Sequence, residues 1–393
     1  MPLPLEEIFV VSLEQAVAAP FASRQLADLG ARVIKIERPG VGDFARSYDK
    51  KVKGESASFM WLNRSKESLT LDLKHREAPG ILSRLFQRAD VFIQNLAPGA
   101  TDRLGFSGQT LIEKYPKLIV CDISGYGSGG PYSEKKAYDL LIQCETGLVS
   151  ITGTPDTPCK VAISVADIAT GMYVYSGILT ALLQRAKTGK GTAFEVSMLE
   201  SLGEWMTGAG YSAAYGGSGP KRNGASHASI YPYGPFKTGD GKTVFFGVQN
   251  EREWVNFCAG VLDQQALAKD SRFESNPGRV SNRAALDRII EKCFMQLNQQ
   301  EVLERLDEAQ IANARMNSAG EFWNHTQLKA RGRWREIDSP GGSIKAMLPP
   351  VTMEGFEPSM GAIPELGGHT RKILKELGYD EADIDRFIEE SVI

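Results

Sequence analysis

The residue best placed for covalent chemistry is Asp167, in the run Ser164-Val-Ala-Asp-Ile-Ala-Thr-Gly-Met172. It heads an apolar stretch that continues through Tyr175, Ile178 and Leu182 to Gln184, and this spacing predicts a helix opening at Asp167. A helix start favours negative charge, and an ionised, partly desolvated carboxylate can attack an activated acyl group. The plainer alternative is that Asp167 only caps the helix, with Thr170 three residues on. Choosing between them requires a place for an activated substrate and a reason for carboxylate chemistry.

Elimination supplies part of the reason. The four histidines, His75, His227, His325 and His369, have no second ligand at His-x-x-x-His or similar spacing, so no metal site is expected, and a histidine triad would have to draw on one of the four. The five cysteines, Cys121, Cys144, Cys159, Cys258 and Cys293, are odd in number and form no Cys-x-x-Cys pair. That argues against a disulfide framework or structural zinc and points to a reducing, cytoplasmic setting. A net charge of −3 and a pI near 6.0 offer no electrostatic excess for nucleic acid or an anionic membrane. Neither a signal-like N-terminus nor an uninterrupted apolar run of about eighteen residues is seen, so no targeting segment or anchor is expected.

The elements that must position Asp167 alternate. Ile8–Ser12, Arg32–Ile36, Ser68–Leu73, Asp90–Ile93, Leu118–Ile123 and Ala193–Val196 read as strands, with helical patterns at Ala16–Leu29, Pro79–Arg88 and Leu111–Tyr115 between them. Further helices follow Tyr138 and Met198. Such alternation predicts an α/β fold, a mostly parallel sheet with helices on both faces. Residues 208–235, rich in Gly, Ser, Pro and Tyr, read as linker and loop. Beyond them a strand at Thr243–Val248 and helices at Glu251–Leu262 and Ala284–Gln296 predict a smaller α+β domain. The tail from His369 reads as two short helices packed back on the first domain. The expected division is therefore a large domain over 1–207 and 325–393 and a small one over 208–324.

Open α/β sheets bind ligands at the carboxyl ends of their strands. Arg38, Lys74 and Arg103 each follow a predicted strand end, and three cations on one edge suit a ligand with several phosphates. Gly125-Tyr-Gly-Ser-Gly-Gly130 matches the dinucleotide pattern, but Pro131-Tyr-Ser-Glu-Lys-Lys follows instead of a helix start, and the strand before it is not the first. The loop reads better as glycines that let backbone approach a substrate.

Together these segments resemble the class III CoA-transferase family, which includes formyl-CoA:oxalate and carnitine CoA-transferases and the α-methylacyl-CoA racemases. The resemblance rests on Leu29-Gly-Ala-Arg-Val-Ile-Lys-Ile-Glu-Arg-Pro-Gly40 with Gly42-Asp43, on Asn95-Leu-Ala-Pro-Gly99 with Leu104-Gly-Phe106, and on Ser124-Gly-Tyr-Gly127 with Gly130-Pro131. Asp167-Ile-Ala-Thr-Gly171, Lys187-Thr-Gly-Lys-Gly191 and Leu366-Gly-Gly-His-Thr370 complete it, in order over nearly the whole chain. The resemblance implies a Rossmann-like large domain built from both chain ends and an interlocked homodimer of ring-like chains. It implies a CoA site at Arg38, Lys74, Asn95, Leu96, Ala100 and Arg103, with Lys136 nearby, and makes Asp167 the catalytic carboxylate. No cofactor is expected beyond CoA thioesters as substrates.

Within the family, a racemase pairs a histidine with an aspartate to remove and return a proton. Here the matching stretch reads Lys136-Ala-Tyr-Asp139, and a free phenol, with a pKa of about 10, is a poor base at neutral pH. CoA transfer is the favoured reading; the racemase and a non-catalytic CoA-binding protein are its alternatives. Tyr138 and Asp139 would line the pocket, and Gly127, Gly129 and Gly130 would cover it. The oxalate enzymes carry a glutamine where this chain has Val17, a tryptophan where it has Tyr48 and a four-glycine loop where it reads Ala225–Ile230. A longer dicarboxylate is therefore the expected acid, with His227 or Arg222 open as partners for its distal carboxylate.

Overall fold

The computed structural model describes residues 2–393. The chain divides into two compact units, one comprising the chain up to Gly147, Val161–Thr207 and Leu328–Ile393, the other Leu148–Lys160 and Gly208–Gln327. The short segment Leu148–Lys160 thus groups with the second unit.

Six strands form the sheet of the first unit: β1 (Phe9–Leu13), β2 (Arg32–Glu37), β3 (Lys66–Thr70), β4 (Val91–Gln94), β5 (Ile119–Ser124) and β6 (Ala193–Ser197). They are all parallel, in the order β3-β2-β1-β4-β5-β6. Period-two alternation sends neighbouring residues to opposite faces. Val11, Ile34 and Phe92 join a core with Leu85, Phe86 and the two C-terminal helices through Leu374 and Phe387. Val10, Val33 and Ile93 join another with Leu26 of helix Ala18–Asp28 and with Val174 and Ile178 of helix Val165–Thr188. Helices on both faces of a parallel sheet, and a tail folded back, follow the sequence reading.

Helix Val165–Thr188 is long and apolar enough to cross a membrane by length and composition, with a mean hydropathy of 1.3. In this fold its apolar face packs on the sheet.

The second unit holds an antiparallel sheet, β7 (Tyr233–Lys237), β8 (Thr243–Gly247) and β9 (Ala312–Arg315), in that order. Its core is aromatic, with Phe236, Phe246, Trp254, Phe257 and Phe294 in one cluster. Two expectations fail in the stretch read as linker. The helix from Met198 runs on to Tyr215, and β7 begins inside the supposed loop. Gly208 and Gly210 lower helix propensity by about 1 kcal/mol each relative to alanine, but no proline intervenes, and the helix runs on until Gly216-Gly217, where Gly217 has a φ of 78°. The first unit also carries a hairpin, β10 (Trp334–Ile337) and β11 (Ile344–Met347), that the sequence reading did not resolve.

Candidate active site

The helix bearing Asp167 starts at Val165, and its N-cap Ser164 makes no side-chain capping bond. Capping comes from Asp139 in helix Asp139–Glu145. Its Oδ1 accepts from the Ala166 N–H at 2.8 Å and the Asp167 N–H at 3.4 Å, and its Oδ2 from Gln143 Nε2 at 2.8 Å. Gln143, fully buried, also grips both backbone groups of Val161. The reading of Asp167 as a mere cap is therefore corrected: another carboxylate caps, and Asp167 sits in the first turn with its side chain uncommitted to that task. Asp139 was read only as pocket lining; the Asp139-x-x-x-Gln143 spacing was the available signal.

Burial first, and the Asp139 carboxylate second, push the Asp167 carboxyl up to about 7. The expectation that the helix start would simply keep it ionised is corrected as well. A helix terminus contributes about 0.3–1 kcal/mol, less than the roughly 1.4 kcal/mol of one pKa unit, so it does not offset desolvation and a like charge.

What places Asp167 beside the first βα turn is close helix packing. A Cβ on Gly171 would lie 2.7 Å from the Ala18 carbonyl oxygen and 2.9 Å from Phe21 Cδ1, so glycine lets helix Val165–Thr188 approach helix Ala18–Asp28. That turn carries Val17, buried at the head of its helix. The Tyr48 phenol, at the end of the loop after β2, is near enough to feel Asp167 and Tyr138. Burial, then Asp43, then these groups push its pKa up to about 12, so it stays a hydrogen-bond donor. Val17, Tyr48, Tyr138, Asp139 and Asp167 thus converge, and Tyr138 is exposed.

The carboxyl edge of the sheet gathers the other set. With the order 3-2-1-4-5-6, the crevice at the reversal lies between β1 and β4. A cavity of about 210 Å³ opens beside it, over the ends of β1, β2 and β3, lined by Leu13, Gln15, Ile36, Glu37, Arg38, Phe44, Leu71, Leu73 and Leu96. Largely apolar walls with the Arg38 guanidinium, beside Gln15 and Glu37, suit a flat heterocycle. Lys74 is exposed beyond β3, its N–H held by Asp72. Ala100 opens the short helix Ala100–Arg103, and Arg103 Nη2 folds back on the Pro98 carbonyl at 3.4 Å. The Asn95 amide clamps both backbone groups of Gln15 at 2.9 Å, which holds the first βα turn at this edge.

The glycine loop is half anchored. Gly127 is buried and donates to Ser124 Oγ at 2.9 Å, and the Ser128 N–H donates to Glu195 at 3.0 Å. Gly129 and Gly130 are exposed with open space around them, so only that half has the freedom a cover needs. Gly125 backs on Ala137, whose Cβ lies 2.2 Å from where a glycine Cβ would be, which seats the Lys136–Tyr138 segment. Lys136 is exposed, and no helix begins until Asp139, unlike a dinucleotide loop.

Known proteins decide the family. The model of CoA-transferase family III matches residues 5–370. The chain belongs to that family. Mouse (Mus musculus) succinyl-CoA:glutarate CoA-transferase is 35% identical, covering 99% of this chain and 90% of its own. Acetyl-CoA:oxalate CoA-transferase of Acetobacter aceti is 32% identical over 94% and 95% of the two chains. The crystal structure of a CaiB/BaiF family protein from Brucella suis superposes with a TM-score of 0.86 at 32% identity, covering 96% of this chain and all of that one. This is an enzyme of the CoA-transferase type.

In this family III enzyme the two open candidates of the second unit part ways. Arg222 donates to the carbonyls of Thr154, Ser150 and Pro155 at 2.9, 3.0 and 2.8 Å. It staples segment Leu148–Lys160 and has spent most of its donors. His227 is exposed and stacks on Tyr233 at 5.2 Å, and its Nδ1 accepts from the Ser229 and Ile230 N–H groups at 3.2 and 3.1 Å. A neutral ring so held carries its proton on Nε2.

Proposed function

We propose that this enzyme moves CoA from an acyl-CoA thioester to a dicarboxylic acid, with Asp167 as the covalent relay. The observation that carries the reading is the half-buried Asp167 carboxylate, raised to about 7 and set near the Tyr48 phenol. A basic carboxylate is a better nucleophile, provided it is ionised. It attacks the donor carbonyl, expelling CoA thiolate and forming a mixed anhydride. The thiolate attacks the aspartyl carbonyl, releasing the donor acid and leaving an Asp167–CoA thioester. The acceptor carboxylate then attacks that thioester and frees the thiolate. Attack of the thiolate on the acceptor's acyl carbon regenerates Asp167. The Tyr48 hydroxyl donates to carbonyl oxygen as charge develops, and Gly129 and Gly130 keep water from the anhydride.

Arg38, Lys74, Asn95, Leu96, Ala100, Arg103 and Lys136 hold the CoA nucleotide in this reading. Glutarate is the named acid of the mouse relative, and Val17 and Tyr48 in place of the residues of the oxalate enzymes support a longer acid. The working form in this reading is an interlocked homodimer in the cytoplasm, using no cofactor beyond CoA thioesters. The unpaired edge of β6 and the adjoining groove of about 690 Å³ support dimerisation. A pKa near 7 on Asp167 also suits proton transfer, the racemase reading, but Tyr138 stands where a racemase has its histidine base. Incubation with succinyl-CoA and hydroxylamine is expected to leave a hydroxamate on the Asp167 peptide, and Asp167→Ala to abolish transfer to glutarate. Full transfer by that variant, or α-proton exchange without an acceptor, would overturn the assignment.

A further inference from the structure

Beneath the first βα turn lies a cluster of charges in which Glu14, Lys35 and Asp43 have no exposed surface and Lys66 is 3% exposed. Lys66 Nζ donates to Glu14 Oε1 at 2.6 Å, and Lys35 Nζ reaches the same oxygen at 3.3 Å and Asp43 Oδ2 at 2.8 Å. Asp43 differs from its neighbours in what its other oxygen does. Oδ1 accepts two backbone N–H groups from different loops, Ala16 at 3.0 Å and Ala45 at 2.9 Å. Ala16 has a φ of 60°, a left-handed conformation that a residue with a Cβ adopts only when held there. It immediately precedes Val17. Ala45 belongs to the turn Phe44–Ser47, whose next residue is Tyr48, and Gln15 Oε1 adds a second tie by accepting from the Phe44 N–H at 3.2 Å.

We propose that Asp43 is a positioning residue that clamps the first βα turn to the Tyr48 loop and so sets the acceptor-acid end of the site. One carboxylate fixes the spacing between Val17 and Tyr48, and Lys35 fixes the carboxylate. The inference rests on the transferase reading for its kinetic consequence but not for its geometry. Asparagine cannot replace Asp43, because its single carbonyl serves either the two N–H groups or Lys35. Whichever it serves, the amide NH₂ faces donors at the other position. Removing the lysine charge as well relieves the conflict and keeps the cluster electrically balanced, since one charge of each sign is lost.

The experiment compares the native enzyme with Asp43→Asn, Lys35→Met/Asp43→Asn and Lys35→Met/Asp43→Ala, using succinyl-CoA and glutarate. Asp43→Asn is expected to raise KM for glutarate about five-fold or more while KM for succinyl-CoA stays within about two-fold, and the Lys35→Met/Asp43→Asn pair to restore the glutarate value. Lys35→Met/Asp43→Ala, which has no acceptor for either N–H, is expected to raise it again, and decides the matter should Asp43→Asn fail to fold. Equal glutarate KM values in the asparagine and alanine double variants, or parallel rises for both substrates, would overturn the clamp. Amide exchange at Ala16 and Ala45, expected to quicken at least about ten-fold in the alanine variant, reads the same clamp without turnover. Native enzyme inactive on every donor and acceptor sinks the transferase reading alone, and unchanged exchange sinks the clamp alone.

Discussion

Two groups of buried carboxylates sit close together in this enzyme and are treated in opposite ways. Glu14 would be raised by burial, but Lys66, then Lys35, and hydrogen bonds from Lys66 and Ser23 hold it at about 2. Asp167 has no ion pair among the described residues; burial and Asp139 raise it to about 7. The first carboxylate stays charged and ties Ser23, Lys35 and Lys66 together, while the second changes charge near neutrality. Partners, rather than burial, decide the difference. The fastened cluster carries its own cost, since burial pushes Lys66 down to about 8 even beside Glu14.

Making the compensated cluster resemble the uncompensated one should have the largest effect. Lys66→Met leaves Glu14 with Lys35 at 3.3 Å as its only cation. A loss of about 3–5 kcal/mol is expected in denaturant unfolding, as for other buried pairs missing one partner; a loss under about 1 kcal/mol would mean the cluster is not what holds the loops. The reverse change, relieving the like-charge pair with Asp139→Asn, should be smaller. It removes the charge that helps raise Asp167, so the acid limb of the rate profile moves to lower pH by up to about one unit. The amide oxygen can still accept from the Ala166 N–H, so the helix cap is kept. An unmoved limb would assign the raised pKa to burial alone.

The smallest effect expected is a gain. Folded Asp167 titrates at about 7 against a reference of 3.8, so the folded state holds an extra proton between those values. Its contribution to stability is full below the lower value and is lost as pH rises through the upper. Asp167→Asn should therefore raise Tm on the order of 2–4 °C at pH 8, and much less at pH 5. A Tm lowered at pH 8 would mean that Asp167 makes favourable contacts as an anion.

The sequence displayed the reactive half of this comparison better than the fastening half. Asp167 could be found because its helix has a strong apolar period and its motif is local. The strand-edge position of Arg38 and Leu96 followed from parallel alternation, which also carried the sheet and the returning tail. Asp139 was visible, but not that it caps a helix 27 residues on, because capping across elements leaves no local pattern. Lys35 and Lys66 sit in β-branched or polar strands where a lysine ordinarily points to solvent, and only the fold reveals that both face Glu14. That Asn95 holds the Gln15 backbone is hidden for the same reason: its two bonds to Gln15 cross 80 residues.

The most direct test is a single turnover with succinyl-CoA as pH is varied, measuring by mass spectrometry the CoA thioester linked to the enzyme. The thioester should form on Asp167, with a rate that rises with pH around a midpoint near 7 in the native enzyme and at lower pH in Asp139→Asn. A thioester on another residue, or a rate flat from about pH 5 to 9, would contradict the assignment of Asp167 as the raised carboxylate through which CoA passes.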